Sequence, residues 1–283
     1  MAQYISVSRR TDIPRFYADH FFAAWQKGSI SYDGGYGRSY TVSLRQDDVL
    51  GYIFWSKDFR NFLANPSFPT LIARNNAIFH YTINDCPELE PRVAPLVERL
   101  SGLAALADLV GPERIIWRYD PLCKYSLKQG PVKDNAAPFF GLLEKMRQYG
   151  IRRCHFSFAT LYAKLTGRSA VRFIPFSPAE QQQLAVDMLR SASAYGIELF
   201  ICCNPEVATR TPGLPTARCV DQELLAATDR FGVHRSLAKK PTRKGCGCYA
   251  SRDIGAYSQS CGHGCLYCYA NPGKKLTECS DHK

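Results

Sequence analysis

Long hydrophobic runs are missing from these 283 residues: no apolar stretch reaches the roughly 18–20 residues that a membrane-spanning helix needs. The opening Met1-Ala2-Gln3-Tyr4 has neither the basic nor the apolar region of a secretory signal. A soluble, cytoplasmic protein with no membrane partner is therefore expected. No internal repeat is visible, which argues against a solenoid. The one glycine-rich segment, residues 32–38, lacks the Lys-Ser/Thr pair of a nucleotide-binding P-loop and reads as a hairpin or loop. Acidic residues are few beside basic ones, 25 against 36; the balance of +11 favours anionic partners without deciding fold or chemistry. What remains is ample for a core, since 46% of the chain is hydrophobic, enough for one large domain or two small ones.

Cysteine is plentiful and unevenly placed. Of twelve, nine lie from Cys202 onward and six fall in the last 38 residues. Without a secretion signal, so many thiols point to metal ligation or redox chemistry, because the cytosol keeps them reduced. Residues 236–283 therefore read as a cysteine-rich, cluster-binding segment on the mouth of a larger unit, residues 1–235.

Within that larger unit, six apolar, β-branched or aromatic runs (4–8, 49–55, 77–83, 114–119, 153–158, 198–202) read as strands. Helix-compatible stretches at 15–27, 93–110, 136–149 and 178–195 each close at a glycine, a helix stop signal. Strand, helix, strand in repetition demands parallel strands joined by right-handed crossovers. The expected fold is α/β, a partial TIM-like (β/α)6 barrel, with a flat doubly wound sheet as the alternative. In such a barrel the chemistry sits after the C-terminal ends of strands. That picks out Arg9, Arg10 and Asp12, then Trp55 and Lys57, then Arg118 and Asp120, and finally Ser157 and Cys202-Cys203. The three arginines suit clamps for a carboxylate or phosphate. Asp12 suits equally the cap of a helix beginning near Pro14, and Asp120, before Pro121, a turn. His20, His80 and His155 read as packed histidines.

The most specific signal is Cys261-Gly262-His263-Gly264-Cys265-Leu266-Tyr267-Cys268-Tyr269. Three thiolates on one short loop can hold three irons of a 4Fe-4S cluster and leave the fourth open to another ligand. The two glycines suit a loop that wraps such a cluster with unusual backbone angles. Zinc is the other reading, with His263 or Cys246-x-Cys248 completing the ligands. A second four-thiolate site is expected from Cys202, Cys219, Cys246 and Cys248; Cys202 is preferred to Cys203 because adjacent strand residues point to opposite faces. Cys86, Cys123 and Cys154 are expected to be core or loop thiols, and Cys279 incidental.

This Cys-x3-Cys-x2-Cys spacing resembles that of the radical S-adenosylmethionine (SAM) superfamily, and its wording resembles the spore photoproduct lyase-like branch. A longer likeness runs through Ser8-Arg9-Arg10-Thr11-Asp12-Ile13-Pro14, Phe54-Trp55-Ser56-Lys57, Trp117-Arg118-Tyr119-Asp120-Pro121 and Asp253-Ile254-Gly255-Ala256-Tyr257. Together these are similar to the bacterial domain-of-unknown-function family 1848. The resemblance implies a 4Fe-4S cluster on Cys261, Cys265 and Cys268, SAM on its open iron, and Tyr267 and Tyr269 beside the cofactor. It also implies a reductant protein such as flavodoxin or ferredoxin. The superfamily motif usually follows the first barrel strand, so its late position here implies a permuted order. The expected function is a radical SAM enzyme, an oxidoreductase or lyase acting on an anionic substrate, with nucleic acid among the candidates. Two other classes fit parts of the sequence. One is a zinc or structural iron–sulfur nucleic-acid binder using Lys239, Lys240, Arg243, Lys244 and Arg252; the other is an electron-transfer protein.

Overall fold

The computed structural model describes residues 2–34, 38–128, 130–166 and 170–270; Cys279 lies outside them. The six apolar runs all form strands: β1 (Gln3–Val7), β2 (Val49–Ser56), β3 (Ala77–Thr82), β4 (Ile115–Leu122), β5 (Arg153–Phe158) and β6 (Glu198–Ile201). A seventh, β7 (Arg252–Asp253), is only two residues long and was not expected. One parallel sheet runs in the order β6-β5-β4-β3-β2-β1-β7. Each of the first six strands lies beside its neighbour in the chain, the winding of a barrel. A doubly wound sheet would reverse direction at a switch point. The barrel is not closed, because β6 and β7 occupy the two edges.

Both faces of the sheet are covered, as a parallel sheet requires. On the helix side, alternate residues Tyr52, Phe54, Phe79, Tyr81, Trp117 and Phe156 pack with Phe21, Phe62 and Phe68 from the helices Ala18–Lys27, Arg60–Ala64 and Phe68–Arg74. The intervening residues face inward. Tyr4, Ile53, Ile78 and Ile116 form the apolar floor there, and nearer the C-terminal ends of the strands stand Trp55, His80, Arg118 and His155. In the register, Trp55 pairs with His80 and Arg118 with His155. The helices closing at Gly28, Gly111, Gly150 and Gly196 form as expected, and all four glycines have positive φ. The stretch 15–27 is interrupted: a short turn, Ile13–Phe16, is capped by Asp12, and Tyr17 separates it from Ala18–Lys27. On either side of the glycine-rich segment, Ser29–Asp33 pairs antiparallel with Ser39–Ser43; residues 35–37 lie outside the described residues. No helix among the described residues is long and apolar enough to cross a membrane.

The C-terminal segment does more than cover the mouth, since β7 extends the sheet along the outer side of β1. Asp253 fixes this edge. Its carboxylate accepts from Ser6 Oγ (2.9 Å), Ser8 Oγ (2.8 Å) and the backbone amides of Arg9 (2.9 Å) and Gly255 (3.1 Å). Gly255 is squeezed against β1: a Cβ there would lie 1.8 Å from Ser8 Oγ and 2.5 Å from Ser8 Cβ. Gly255→Ala should therefore destabilise the protein by about 1–3 kcal/mol in urea unfolding, the usual cost of overpacking. Ser8→Gly in the same chain should restore part of the loss. A Gly255→Ala protein as stable as its parent would mean that Ser8 can turn away freely.

Candidate functional site

The loops after the strand ends converge on one cavity of about 630 Å³. Arg9, Arg10, Asp12, Lys57, Arg118 and Asp120 line it, as do Tyr267 and Tyr269 and all seven cysteines expected to bind metal. The candidate residues, scattered over the whole chain in sequence, are thus neighbours at the C-terminal ends of the strands, where a barrel places its chemistry.

Two carboxylates hold the three-cysteine loop down. Asp12 caps its own helical turn through Arg15 N (3.0 Å), and also accepts from Ser56 Oγ (2.7 Å), Lys57 N (2.9 Å) and His263 Nε2 (2.8 Å). It is a brace between β1, β2 and the loop. His263 is committed to Asp12 through this nitrogen and packs edge-on against Phe16, so it points into the protein. The second carboxylate is Glu90, almost wholly buried. Lys57 Nζ donates to Glu90 Oε1 at 2.7 Å and to the Tyr267 hydroxyl at 2.8 Å, and the Tyr267 hydroxyl itself donates to Glu90. Asn84 Nδ2 completes the group, 3.0 Å from Glu90 Oε1 and 3.2 Å from the Tyr267 oxygen. Tyr267 therefore lines the cavity while its hydroxyl is anchored beneath the loop. Tyr269 is partly exposed, with its ring near Tyr162.

The two loop glycines serve different ends. Gly264 has φ +61°, the unusual angle expected, whereas a Cβ on Gly262 would strike the Phe16 ring at 2.6 Å. Cys265 packs among Cys86, Cys123 and Leu89, and burial pushes its thiol up; burial likewise pushes Cys261 up to about 12. The ammonium of Lys57 opposes this at Cys265, because it favours a thiolate there.

Five other cysteines line the cavity: Cys202, Cys203, Cys219, Cys246 and Cys248. Cys202 Sγ lies 3.6 Å from Cys203 Sγ and 3.9 Å from Cys219 Sγ. Cys246 lies near Cys203 and Cys248, and Cys248 near Cys219. Sequence reasoning preferred Cys202 and left Cys203 out by strand alternation. That rule fails because β6 ends at Ile201, and Cys203, at φ +57°, turns its side chain to the same side. Arg118 Nη1 donates to Cys219 Sγ (3.2 Å) and Arg243 Nε to Cys203 Sγ (3.0 Å). Among the described residues, no three His, Cys, Asp or Glu side chains converge as ligands of a single ion. Cys86, Cys123 and Cys154 are buried core thiols, as expected.

The arginines differ in availability. Arg10 donates to the Gly255 carbonyl at 2.7 Å and lies over the Tyr257 ring, so it fastens the end of β7. Arg118 is paired with Asp120, which also accepts from Ser157 Oγ. Arg9 donates to Ser251 Oγ at 3.4 Å, and its guanidinium lies 5.2 Å from the centre of the Trp55 ring, which stacks on His80 at 4.1 Å. Of the five basic residues considered for nucleic acid, Arg243 turns inward to Cys203. Arg252 lies against Tyr32 and Tyr40, and Lys239, Lys240 and Lys244 are exposed.

Glu90 escaped the sequence reading, Asp253 entered it only within a motif, and Arg243 was considered for nucleic acid rather than for sulfur. The signal for Glu90 was indirect: Lys57 at a strand end and Tyr267 between two cysteines both require a buried acceptor. Glu90→Gln leaves the Lys57 ammonium without its counter-charge and should cost about 3 kcal/mol in chemical denaturation. Tyr267→Phe should cost about 1 kcal/mol, one hydrogen bond. A loss below about 1 kcal/mol for Glu90→Gln would show that Lys57 holds no net charge against it.

Comparison with known proteins gives a family and little more. No curated protein sequence matches the chain. Among solved structures, morphinone reductase is similar with a TM-score of 0.32 and 14% identity, over 69% of this chain and 53% of that one. The chain thus spans about half the length of that structure, and so slight a likeness carries no argument. The family model described as "Domain of unknown function (DUF1848)" matches residues 4–270, nearly the whole length, in agreement with the motifs at both ends of the chain. By that match the protein belongs to the DUF1848 family.

Proposed function

We propose that the protein is a radical SAM enzyme in which Cys261, Cys265 and Cys268 hold three irons of a 4Fe-4S cluster and SAM occupies the fourth. The observation that carries this reading is the position of the cysteine loop. It follows β7, and β7 lies beside β1 at the edge of the sheet. Counted across the sheet from that edge, the loop follows the first strand, where the radical SAM superfamily has its motif. The late position in the chain is then a permutation of strand order with the same arrangement in space. The sheet remains open, with seven strands rather than a closed ring of eight.

The donor set fits the group. Three thiols on one loop line the cavity, and no acidic side chain lies on that loop to compete for iron. When bound, such a cluster supplies the electron that cleaves the sulfonium of SAM into methionine and a 5′-deoxyadenosyl radical. The chain's own residues prepare the place. Lys57 offsets thiolate charge at Cys265, and Glu90 holds Lys57. Asp12 fixes His263 and the start of the helical turn below. Trp55 gives a flat apolar wall, and Arg9 above it is suited to a carboxylate or phosphate of SAM or substrate. A flavodoxin or ferredoxin would deliver the electron. Of the five basic residues considered for nucleic acid, Arg243 turns to sulfur while Lys239, Lys240 and Lys244 are exposed, so the enzyme reading rests on the cavity and not on the charge of the segment.

Anaerobic reconstitution with iron and sulfide, reduction with dithionite and addition of SAM should release 5′-deoxyadenosine. Cys265→Ala should lower that yield at least 100-fold, about 2.7 kcal/mol of lost transition-state stabilisation. Purified protein that takes up zinc and no iron, or iron-loaded protein that leaves SAM intact, would overturn the proposal.

A further inference from the structure

Five cavity cysteines have no part in the three-cysteine loop, and two of them face each other from backbones that are firmly held. Cys202, just past β6, donates its amide to the Phe156 carbonyl at 2.7 Å, and the Ile201 carbonyl before it accepts from Ala217 N at 2.7 Å. The Cys219 carbonyl lies 2.8 Å from His80 Nε2. So placed, Cys202 Sγ and Cys219 Sγ stand 3.9 Å apart. Sulfurs this close do not fit separate corners of the four-thiolate cluster expected from the sequence. A bond between the two sulfurs requires no metal. The surroundings of the two thiols differ. Arg118, fixed by its pairing with Asp120, donates from Nη1 to Cys219 Sγ at 3.2 Å. A guanidinium at that distance steadies a negative sulfur, the form of cysteine that attacks. Cys202 Sγ sits between two sulfurs instead, 3.6 Å from Cys203 and 3.9 Å from Cys219.

We propose that Cys219 and Cys202 are a nucleophile and its resolving thiol, a site that reduces low-molecular-weight disulfides independently of the SAM chemistry. The Cys219 thiolate attacks one sulfur of the substrate; that sulfur–sulfur bond breaks, a mixed disulfide forms on Cys219 and the first small thiolate leaves. Cys202 then attacks Cys219 Sγ, its proton passing to a departing small thiolate, and the mixed bond breaks. One substrate disulfide is thereby reduced to two small thiols, and the two electrons come from the protein, which is left with a Cys202–Cys219 disulfide. A small thiol reductant restores the pair by the reverse exchange. Both cysteines line the cavity, whose volume of about 630 Å³ admits a molecule of this kind. Cys203 is the poorer partner for Cys202, because consecutive Cα atoms lie about 3.8 Å apart, short of the roughly 4.4–6.8 Å that a disulfide usually spans.

The test takes the full chain, freed of metal with a chelator and reduced, adds hydroxyethyl disulfide without oxygen, and maps the unreduced peptides by mass spectrometry. The first product should be a Cys202–Cys219 cross-link, formed with release of about two small thiols per chain. Cys202→Ser should stop at the mixed disulfide, with the hydroxyethyl thiol retained on Cys219 and about one thiol released. Cys219→Ser should slow the first release about 100-fold. If either variant fails to fold, the peptide map of the parent decides alone. A first cross-link that joins either sulfur to a different cysteine, or label held elsewhere while Cys219 stays free, would overturn the pair. Hydrogen peroxide that forms the Cys202–Cys219 bond in a chain that the disulfide leaves reduced would overturn the substrate class. The exchange needs neither iron nor SAM, so failure of the SAM reading would leave it standing.

Discussion

Four hydrogen bonds to the carboxylate of Asp253 tie the end of the chain to its beginning. A strand of two residues gains little from its own ladder. It stays in register because Ser6, Ser8 and the turn after β1 present their donors to one side chain at the strand's end. Everything downstream hangs from this point: Gly255 fits against Ser8, Arg10 reaches back to the Gly255 carbonyl, and Thr11 and Tyr17 donate to the carbonyl of Ser260 just before Cys261. The loop is thus delivered to the mouth of the barrel by polar contacts with the first twenty residues, which explains why motifs at the two ends of the chain belong together.

The cavity itself is lined by charges that are mostly answered within the protein. Asp12, Glu90 and Asp120 each serve several donors, and Lys57 and Arg118 are each held by one of these carboxylates while also facing sulfur. Burial favours the neutral thiol at Cys261 and Cys265; nearby cations favour the thiolate. A bound metal would shift that balance toward thiolate, whereas bare sulfur anions are costly there.

Legibility in the sequence followed length and periodicity. Six strands of four to eight residues with apolar runs were readable to within a few residues, and so were four long helices with glycine stops. The two-residue β7 had no periodicity to read, and its partner lies some 250 positions away. The loops after the strands were readable as a site because barrel topology dictates where strand ends meet. The roles within that site were harder. Arg10 and Asp12 have the composition of ligand-binding residues but spend it on carbonyls, amides and His263. Glu90 sits in a proline-flanked turn that resembles any surface loop until Lys57 and Tyr267 arrive from elsewhere. The direction of Cys203 was not readable for a local reason, a left-handed residue beyond the end of the strand, where alternation no longer applies.

The shortness of β7 also bears on how this sheet meets other proteins. An open barrel has two edges with unpaired amides and carbonyls, and long flat edges recruit strands from other chains. Here one edge is two residues long and the other four. At the shorter edge Arg252 spreads its guanidinium against Tyr32 and Tyr40 of the adjoining hairpin, which sets a charged, bulky side chain beside the exposed backbone. An unclosed parallel sheet is thereby left with little on which a foreign strand could add, and the opening that admits ligands to the cavity need not be an opening to aggregation.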